Sequence, residues 1–442
     1  MSQYKPYAAY KDSGVEWLGR VPEHWVTKKL LYWISGYGSG TTPSSEDEYS
    51  TDGIPWVTTG ELRENTVFIT EKRVTHDSLK SNSALKLHPA GSLVIAMYGA
   101  TVGRLGVLGI EATLNQACFA IHPSERVLIS FLRYWFEGFR TELVGLATGA
   151  GQPNISGDKI RNLLLPCPQE LSEQEAIITH LDRETARIDT LIGKKTRFVE
   201  LLREKRYALI THAITKGLNP RVKMKDSGVE WLGEVPDHWC VKQLKHVVDP
   251  NSSITYGIVQ AGPEFEGGVP YIRTSDMSSD ELPVNGYPLT SPEIDKSYAR
   301  SRVRPGDIVM SIRASVGKCL PVPDELSIAN LTQGTAKVSP GQKITREFLL
   351  AFLNSGAAQV YFDLMAKGAT FKEITLDALR RTPVLLPPRD EQVEIDRFIA
   401  LHVGRLDRLI RLSERSVVML KERRSALITA AVTGQIDLRE AV

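Results

Sequence analysis

The chain has 442 residues, 42% of them hydrophobic and 24% charged, with a formal net charge of +2. That length predicts more than one domain, and the composition is that of an ordinary globular protein, not a fibrous or disordered one. No run of about 18 apolar residues occurs, so no membrane-spanning helix is expected.

The opening stretch MSQYKPYAAYKDS lacks an apolar core, so a cytoplasmic protein without a signal peptide is expected. Cys118, Cys167, Cys240 and Cys319 lie far apart and form no CxxC, which fits a reduced protein without structural zinc. Residues 1–171 carry 16 basic and 17 acidic side chains, and residues 217–389 carry 20 and 19. Global charge therefore announces no nucleic-acid binder, and any DNA surface must come from basic groups gathered on one face.

Taken in order, the chain repeats itself. KDSGVEWLG at 11–19 recurs at 225–233, and Val21-Pro22-Glu23-His24-Trp25 recurs as Val235-Pro236-Asp237-His238-Trp239. GIPWVTTGEL from Gly53 parallels GVPYIRTSDM from Gly268, and AGSLVIAMYGATVGR from Ala90 parallels PGDIVMSIRASVGK from Pro305. A fixed long period takes precedence over every local signal, so the chain reads as two copies of one unit. Trp17, Trp25, Trp231 and Trp239 are expected to anchor the leading segment by packing. His24 and His238, with no second His at metal-binding spacing, are read as structural.

Each copy continues as a mixed α/β domain. Leu93–Met97 and Ile308–Ile312 are β-rich runs bounded by glycine or proline. VLISFLRYWFEGFRTEL from Val127 and TREFLLAFLNSGAAQVYFDLM from Thr345 read as apolar helices. A Gly-rich stretch, GYGSGTTPSSEDEYS, and the run Ala314-Ser315-Val316-Gly317-Lys318 both fail the context required of a phosphate loop.

Each copy ends in a long helix, and the two match at an offset of 218 residues. Ser172 and Asp390 are the expected N-caps, and Gly217 and Gly434 the expected stops. An apolar row recurs every seven residues, as Leu181, Ile188, Lys195, Leu202, Leu209 and as Ile399, Leu406, Ser413, Leu420, Leu427. A second row, Ile177, Leu191 and Phe198 against Ile395 and Leu409, lies beside it. That is coiled-coil spacing, and the shared stripe predicts that the helices pair, with Leu181, Ile188, Leu202, Leu209, Ile399, Leu406, Leu420 and Leu427 in the seam. The expected class is α+β: two similar mixed α/β domains at 1–171 and 217–389, helices at 172–216 and 390–434 pairing as an antiparallel coiled coil with approximate two-fold symmetry, and a tail at 435–442.

The sequence carries no HExxH, GxSxG, Cys/His cluster, nucleotide loop, or NPPF or DPPY tetrapeptide, so no catalytic residue and no metal ligand is assigned. The loops Thr148–Ser156 and Lys367–Thr375 repeat instead, with small backbones flanked by amide, hydroxyl and basic groups suited to base edges or phosphates.

On KDSGVEWLGRVPEHW, GSLVIAMYGATVG, GDIVMSIRASVGK, TGAGQPNIS and EQEAIITHLDRETARIDTLI, almost the whole chain resembles the specificity subunit of type I restriction–modification enzymes. The resemblance implies two target-recognition domains separated by an antiparallel helical spacer. It implies double-stranded DNA as ligand, each domain taking one half-site of an asymmetric target. It also implies two methylation subunits bringing S-adenosylmethionine and restriction subunits that translocate and cut; no cofactor is expected in this chain. DNA contacts are expected from Thr58, Thr59, Arg104, Gln152 and Asn154 in the first domain and Arg273, Thr274, Arg313, Lys318, Lys367 and Lys372 in the second. The basic ones are expected to bind mainly phosphate and the amides to lie closer to bases. A tandem ligand-binding scaffold with a coiled-coil spacer is the competing reading.

Helix length has a consequence for the target. Four residues inserted between Arg197 and Leu201, with a matching insertion between Arg415 and Met419, add about 6 Å of helix and nearly complete one turn. Duplex DNA rises about 3.4 Å per base pair. The insertion is expected to leave both half-sites unchanged and widen the gap between them by one or two base pairs, as read by sequencing the methylated sites.

Overall fold

A computed structural model of the chain describes residues 4–147, 153–368 and 372–439. It resolves the repeat into two units, residues 1–196 with 415–442, and residues 197–414. The division runs through both long helices, so each unit owns one domain, the first part of one helix and the last part of the other.

In unit 1 the main sheet is built from β1 (Tyr37–Ser39), β3 (Asn65–Val67), β4 (Leu93–Ala96), β5 (Leu105–Leu108) and β7 (Cys118–Ile121), in the order β1-β7-β4-β5-β3. β4 and β7 pair antiparallel, with Cys118 opposite Ala96 and Ile121 opposite Leu93. Every residue of these two strands is buried. That explains why they read as continuous apolar runs without alternation, since both faces of the central strands are covered. A second sheet centres on β2 (Tyr49–Val57), parallel to β6 (Thr113–Leu114) and antiparallel to Lys72–Val74.

Unit 2 repeats the plan with β8 (Thr255–Tyr256), β10 (Ile308–Ser311), β11 (Cys319–Pro321) and β13 (Thr335–Val338) in the order β8-β13-β10-β11. Its second sheet has β9 (Val269–Ile272) parallel to β12 (Asn330–Leu331) and antiparallel to Leu289–Thr290.

The apolar helices are shorter than their sequence pattern predicts. The first breaks into α1 (Ile129–Gly138) and Arg140–Gly145, and the second into α3 (Arg346–Leu353) and Gly356–Met365. In unit 2 the break has a clear cause. Asn354 turns its amide onto the backbone of Cys319, and the Ser355 hydroxyl accepts from the Ala358 amide to start a new helix.

The long helices are α2 (Leu171–Lys216) and α4 (Arg389–Val432). Each starts one residue before its expected N-cap, so Ser172 and Asp390 lie inside the first turn. Gly217 and Gly434 take φ of +75° and +68°, the left-handed stop that a residue without Cβ adopts cheaply.

The first turn binds each helix to its domain. Glu173, buried, accepts from Trp25 Nε1 at 2.9 Å and Tyr7 Oη at 2.8 Å and meets His24 Nε2 at 2.9 Å. Glu391 does the same with Trp239 Nε1 at 2.9 Å and His238 Nε2 at 2.7 Å. Gln174 accepts from the Leu128 amide and donates to the Arg126 and Pro168 carbonyls. Gln392 accepts from the Thr345 amide and donates to the Lys343 and Pro387 carbonyls. Trp25 and Trp239 are fully buried in the process, and Trp17, 44% exposed, packs edge-on against Phe139.

Within unit 1, Leu181, Ile188 and Leu427 are buried in the same core as Trp25 and Phe131, with Leu420 half-buried against it. Within unit 2, Leu202 and Leu406 pack with Val199 and Ile410, while Leu209 and Ile399 are half-buried. Of the expected second row, Ile177 and Ile395 are buried in the cores of their units, and the rest differs. Leu191, Phe198 and Leu409 are exposed, and Thr185, Ile192, Val199, Val403 and Ile410 take their place. A second row can flank a seven-residue repeat on either side, three or four residues on; each domain's packing selects the side. Ion pairs tie the helices in register: Arg206 to Asp407 at 2.9 Å and Arg203 to Glu414 at 2.7 Å in unit 2, and Arg424 to Asp189 at 2.9 Å in unit 1. As the α2 number rises from 203 to 206 the α4 number falls from 414 to 407, so the pairing in unit 2 is antiparallel. Arg206 and Arg424 are equivalent in the repeat, as are Asp407 and Asp189.

Unit 1 also contains an imidazole pair, the buried His88 through Nδ1 and the half-buried His122 through Nε2, at 2.9 Å. Burial, with His122 and Lys86 nearby, pushes His88 down to about 4 from its ordinary 6.5. The folded state thus binds fewer protons than the unfolded state between these values, and stability falls as pH drops through that window, by on the order of 3 kcal/mol. Unit 2 has Val303 at the equivalent backbone bridge, Val303 to Ala329 answering His88 to Ala112. Denaturant unfolding at pH 7 and pH 4.5 is expected to show this loss for the native chain and a flatter dependence for His88→Val.

Candidate nucleic-acid interface

In each unit, loops gather where the central strands of the main sheet meet the second sheet, held by the same backbone bonds. β1 leaves beside Leu114, whose carbonyl accepts from the Thr41 amide; β8 leaves beside Leu331, whose carbonyl accepts from the Ile258 amide. A Cβ on Gly40 would stand 1.6 Å from the Leu114 oxygen and one on Gly257 1.9 Å from that of Leu331, so only glycine permits either approach. The Asn115 amide donates to Val57 and the Thr332 amide to Ile272. The Ile155 amide donates to Met97 and the Ile374 amide to Ile312, both at 3.0 Å. Gly99 and Ala314 sit at one equivalent position with φ of +66° and +62°. For Ala314 this is an uncommon conformation, held by its amide bond to the Lys372 carbonyl.

On this common frame the two units carry different side chains. Thr58 and Arg273 occupy one position, and their amides are capped by Glu61 and Asp276 at 2.7 Å each. Thr59 and Thr274 follow. Arg104 and Lys318 are equivalent, their carbonyls accepting from the Ala96 and Ser311 amides. Tyr98 bridges Asn154 in unit 1, and Arg313 bridges Glu373 in unit 2.

The structure therefore brings Thr58, Thr59, Arg104 and Asn154 to one set of loops in unit 1, and Arg273, Thr274, Arg313, Lys318, Lys367 and Lys372 to the matching set in unit 2. Gln152 lies outside the described residues. Several of the cations have partners within the unit. Arg273 holds Asp276 through Nε and a terminal nitrogen, Lys372 meets Asp363 at 3.1 Å, and Lys318 donates to the Ser278 carbonyl at 3.1 Å. Arg104 is exposed.

Sequence reasoning passed over Gln116 and Gln333. They are equivalent, each two residues beyond the leucine whose carbonyl holds the glycine strand, and Gln116 pairs its amide oxygen with the Thr42 hydroxyl. The signal was present in the parallel of TLNQ from Thr113 and NLTQ from Asn330. Gln116 lines a cleft of unit 1 together with Tyr37, Ser39, Lys86, Tyr98 and Asn154.

Chemically these corners offer amides, hydroxyls and cations, the groups that bond base edges and phosphates. Among the described residues no cluster of three or more His, Cys, Asp or Glu could hold a metal. Burial pushes the thiols of Cys118, Cys167 and Cys319 up, so they stay protonated. Among the described residues no single helix is long and apolar enough to cross a membrane.

Fold and corner together define a duplicated recognition protein: one loop-presenting domain, used twice, each copy fastened to a shared pair of helices. The chain belongs to the family of the type I restriction modification DNA specificity domain, whose model matches residues 22–200 and again 236–413. It is 25% identical over 331 residues to the type I restriction enzyme EcoBI specificity subunit of Escherichia coli, covering 74% of this chain and 69% of that one. It is 22% identical over 436 residues to the MjaVIII specificity subunit of Methanocaldococcus jannaschii, covering 95% of both. The fold is shared with a chain of a type I R-M system solved in a study of its assembly and conformational transition, at TM-score 0.66 and 18% identity, covering 94% of this chain and 99% of that chain. It is also shared with the HsdS subunit from Thermoanaerobacter tengcongensis, at TM-score 0.56 and 16% identity, covering 94% and 98%.

Arg104→Ala and Lys318→Ala are each expected to weaken DNA binding about equally across sequences and to lower the slope of log affinity against log salt by about one. Titrations at several salt concentrations measure both.

Proposed function

We propose that this specificity subunit reads a bipartite, asymmetric duplex target, one half-site for each domain, and performs no chemistry itself. The observation that carries the reading is the pair of equivalent corners, alike in backbone and unlike in side chains. A shared frame suits two encounters with the same polymer, and different side chains suit two different base sequences. Two methylation subunits supply S-adenosylmethionine and the methyl transfer, and restriction subunits join the complex in the cytoplasm.

Recruitment of partners is supported by apolar side chains left exposed on the long helices. They include Leu191, Val418 and Met419 within unit 1 and Phe198, Leu201, Leu409 and Leu412 within unit 2. Such rows at helical spacing suit the apolar face of another helix.

The test is a comparison of the purified chain with the chain bound to its methylation subunits. The complex is expected to select one bipartite sequence from random duplex DNA and to methylate it, and the chain alone to transfer no methyl group from S-adenosylmethionine. Methyl transfer by the chain alone would end the non-catalytic reading; a complex without sequence selection would end the recognition reading.

A further inference from the structure

One corner position at which the units differ in chemistry is the bridge between the β4–β5 loop and the loop after residue 152, and its counterpart in unit 2. In unit 1 it pairs Tyr98 with Asn154, and in unit 2 Arg313 with Glu373. Residues facing one another across an antiparallel bridge project to the same side, so each pair acts as one recognition element. The unit 1 element is neutral, a phenol beside an amide. The unit 2 element is an ion pair with Arg313 Nε 3.0 Å from Glu373 Oε2, both side chains about two-fifths exposed, at 41% and 45%.

Arg313 differs from the other cations of its corner. Arg273 has Nε and a terminal nitrogen on Asp276, Lys372 is paired with Asp363, and Lys318 gives one of its three N–H groups to the Ser278 carbonyl. Arg313 approaches its carboxylate most closely through Nε, on the inner edge of the guanidinium, at ion-pair distance and without a hydrogen bond at that nitrogen. Charge attraction to Glu373 and the bridge backbone hold the stem of the group, while its terminal nitrogens form the outer edge. A braced guanidinium is the geometry that forms two parallel hydrogen bonds to guanine O6 and N7. Gly334 lies beside it and keeps room for Thr274: a Cβ there would stand 2.3 Å from Thr274 Oγ1, and in ordinary contact with Arg313 Cβ at 3.9 Å. Gln333, the side chain common to both corners as Gln116, adjoins that glycine.

We propose that Arg313 reads a guanine in the half-site of unit 2, that Glu373 is its positioning residue, and that this bridge is where the two domains acquire different base preferences. At the same position unit 1 offers the amide of Asn154, whose fitting partner is adenine. The proposal rests on the reading of the corners as DNA-facing, and it assigns Arg313 to a base where the basic residues as a group were expected at phosphates.

The experiment uses the full chain assembled with its methylation subunits and a duplex library randomised across both half-sites. Arg313→Lys keeps the charge and loses the fork. It is expected to retain overall affinity while discrimination at one base pair of one half-site falls roughly 10- to 100-fold. Glu373→Gln is expected to reduce preference at that same base pair alone, and Glu373→Asp to restore part of it. The double change Arg313→Tyr with Glu373→Asn, which installs the unit 1 pair on the same backbone frame, is expected to move the preference away from guanine. Unchanged selectivity in Arg313→Lys would overturn the proposal. So would Arg313→Gln weakening all sequences alike with a salt slope lower by about one, the signature of a phosphate contact. A native complex lacking any base preference would overturn the underlying reading instead.

Discussion

Two carboxylates, Glu173 buried and Glu391 half-buried, fasten each domain to its helix. A buried ionised group is costly unless it is fully bonded, and here an indole and an imidazole from the leading segment satisfy each one. The next residue does the complementary work. The amides of Gln174 and Gln392 occupy backbone groups at the start of α1 and α3 and just ahead of the long helices. Removing either side chain would leave several buried partners unpaired, each at about 1–3 kcal/mol. The leading segment, the domain and the helix thus behave as one block, and the duplication of Glu-Gln duplicates the block.

With the block held, the loops can vary. In both corners the bonds that shape the backbone run between amides and carbonyls, Asn115 to Val57 answering Thr332 to Ile272 and Gly99 to Pro153 answering Ala314 to Lys372. The side chains that support the frame lie off the bridge: the caps from Glu61 and Asp276, and the hydroxyls of Thr101 and Ser311 that donate to the Tyr98 and Arg313 carbonyls. Exchanging Tyr98 for Arg313, or Asn154 for Glu373, therefore leaves the backbone path alone. That separation of shape from chemistry is what a recognition domain needs if its target is to change without loss of the fold.

The long helices divide their surfaces in a comparable way. One stripe is spent on packing, with Ile188 and Leu427 in one core and Leu202 and Leu406 in another. The Arg424–Asp189 and Arg206–Asp407 pairs, half exposed, contribute modestly to stability but select the register. From the row expected beside the seam, Leu191 and Leu409 are turned to solvent and remain available.

The sequence by itself determined the duplication, the long helices and the buried strands. These follow from local properties: a repeat is visible as identity, a helix as spacing, and a twice-covered strand as an unbroken apolar run. It also marked His24, His238, Trp25 and Trp239 as structural, though not their common carboxylate acceptors. The tertiary structure alone decided which flank of the helical stripe is buried, because spacings of three and four residues are equally compatible with a helix and only the packed domain chooses. It alone broke the apolar helices at Phe139 and Asn354, the second where the Asn354 amide turns onto the Cys319 backbone and outweighs propensity. And it alone brought Gln116 beside Asn154 and Arg313 beside Glu373, because residues dozens of positions apart become neighbours only through the pairing of strands that chain order does not specify.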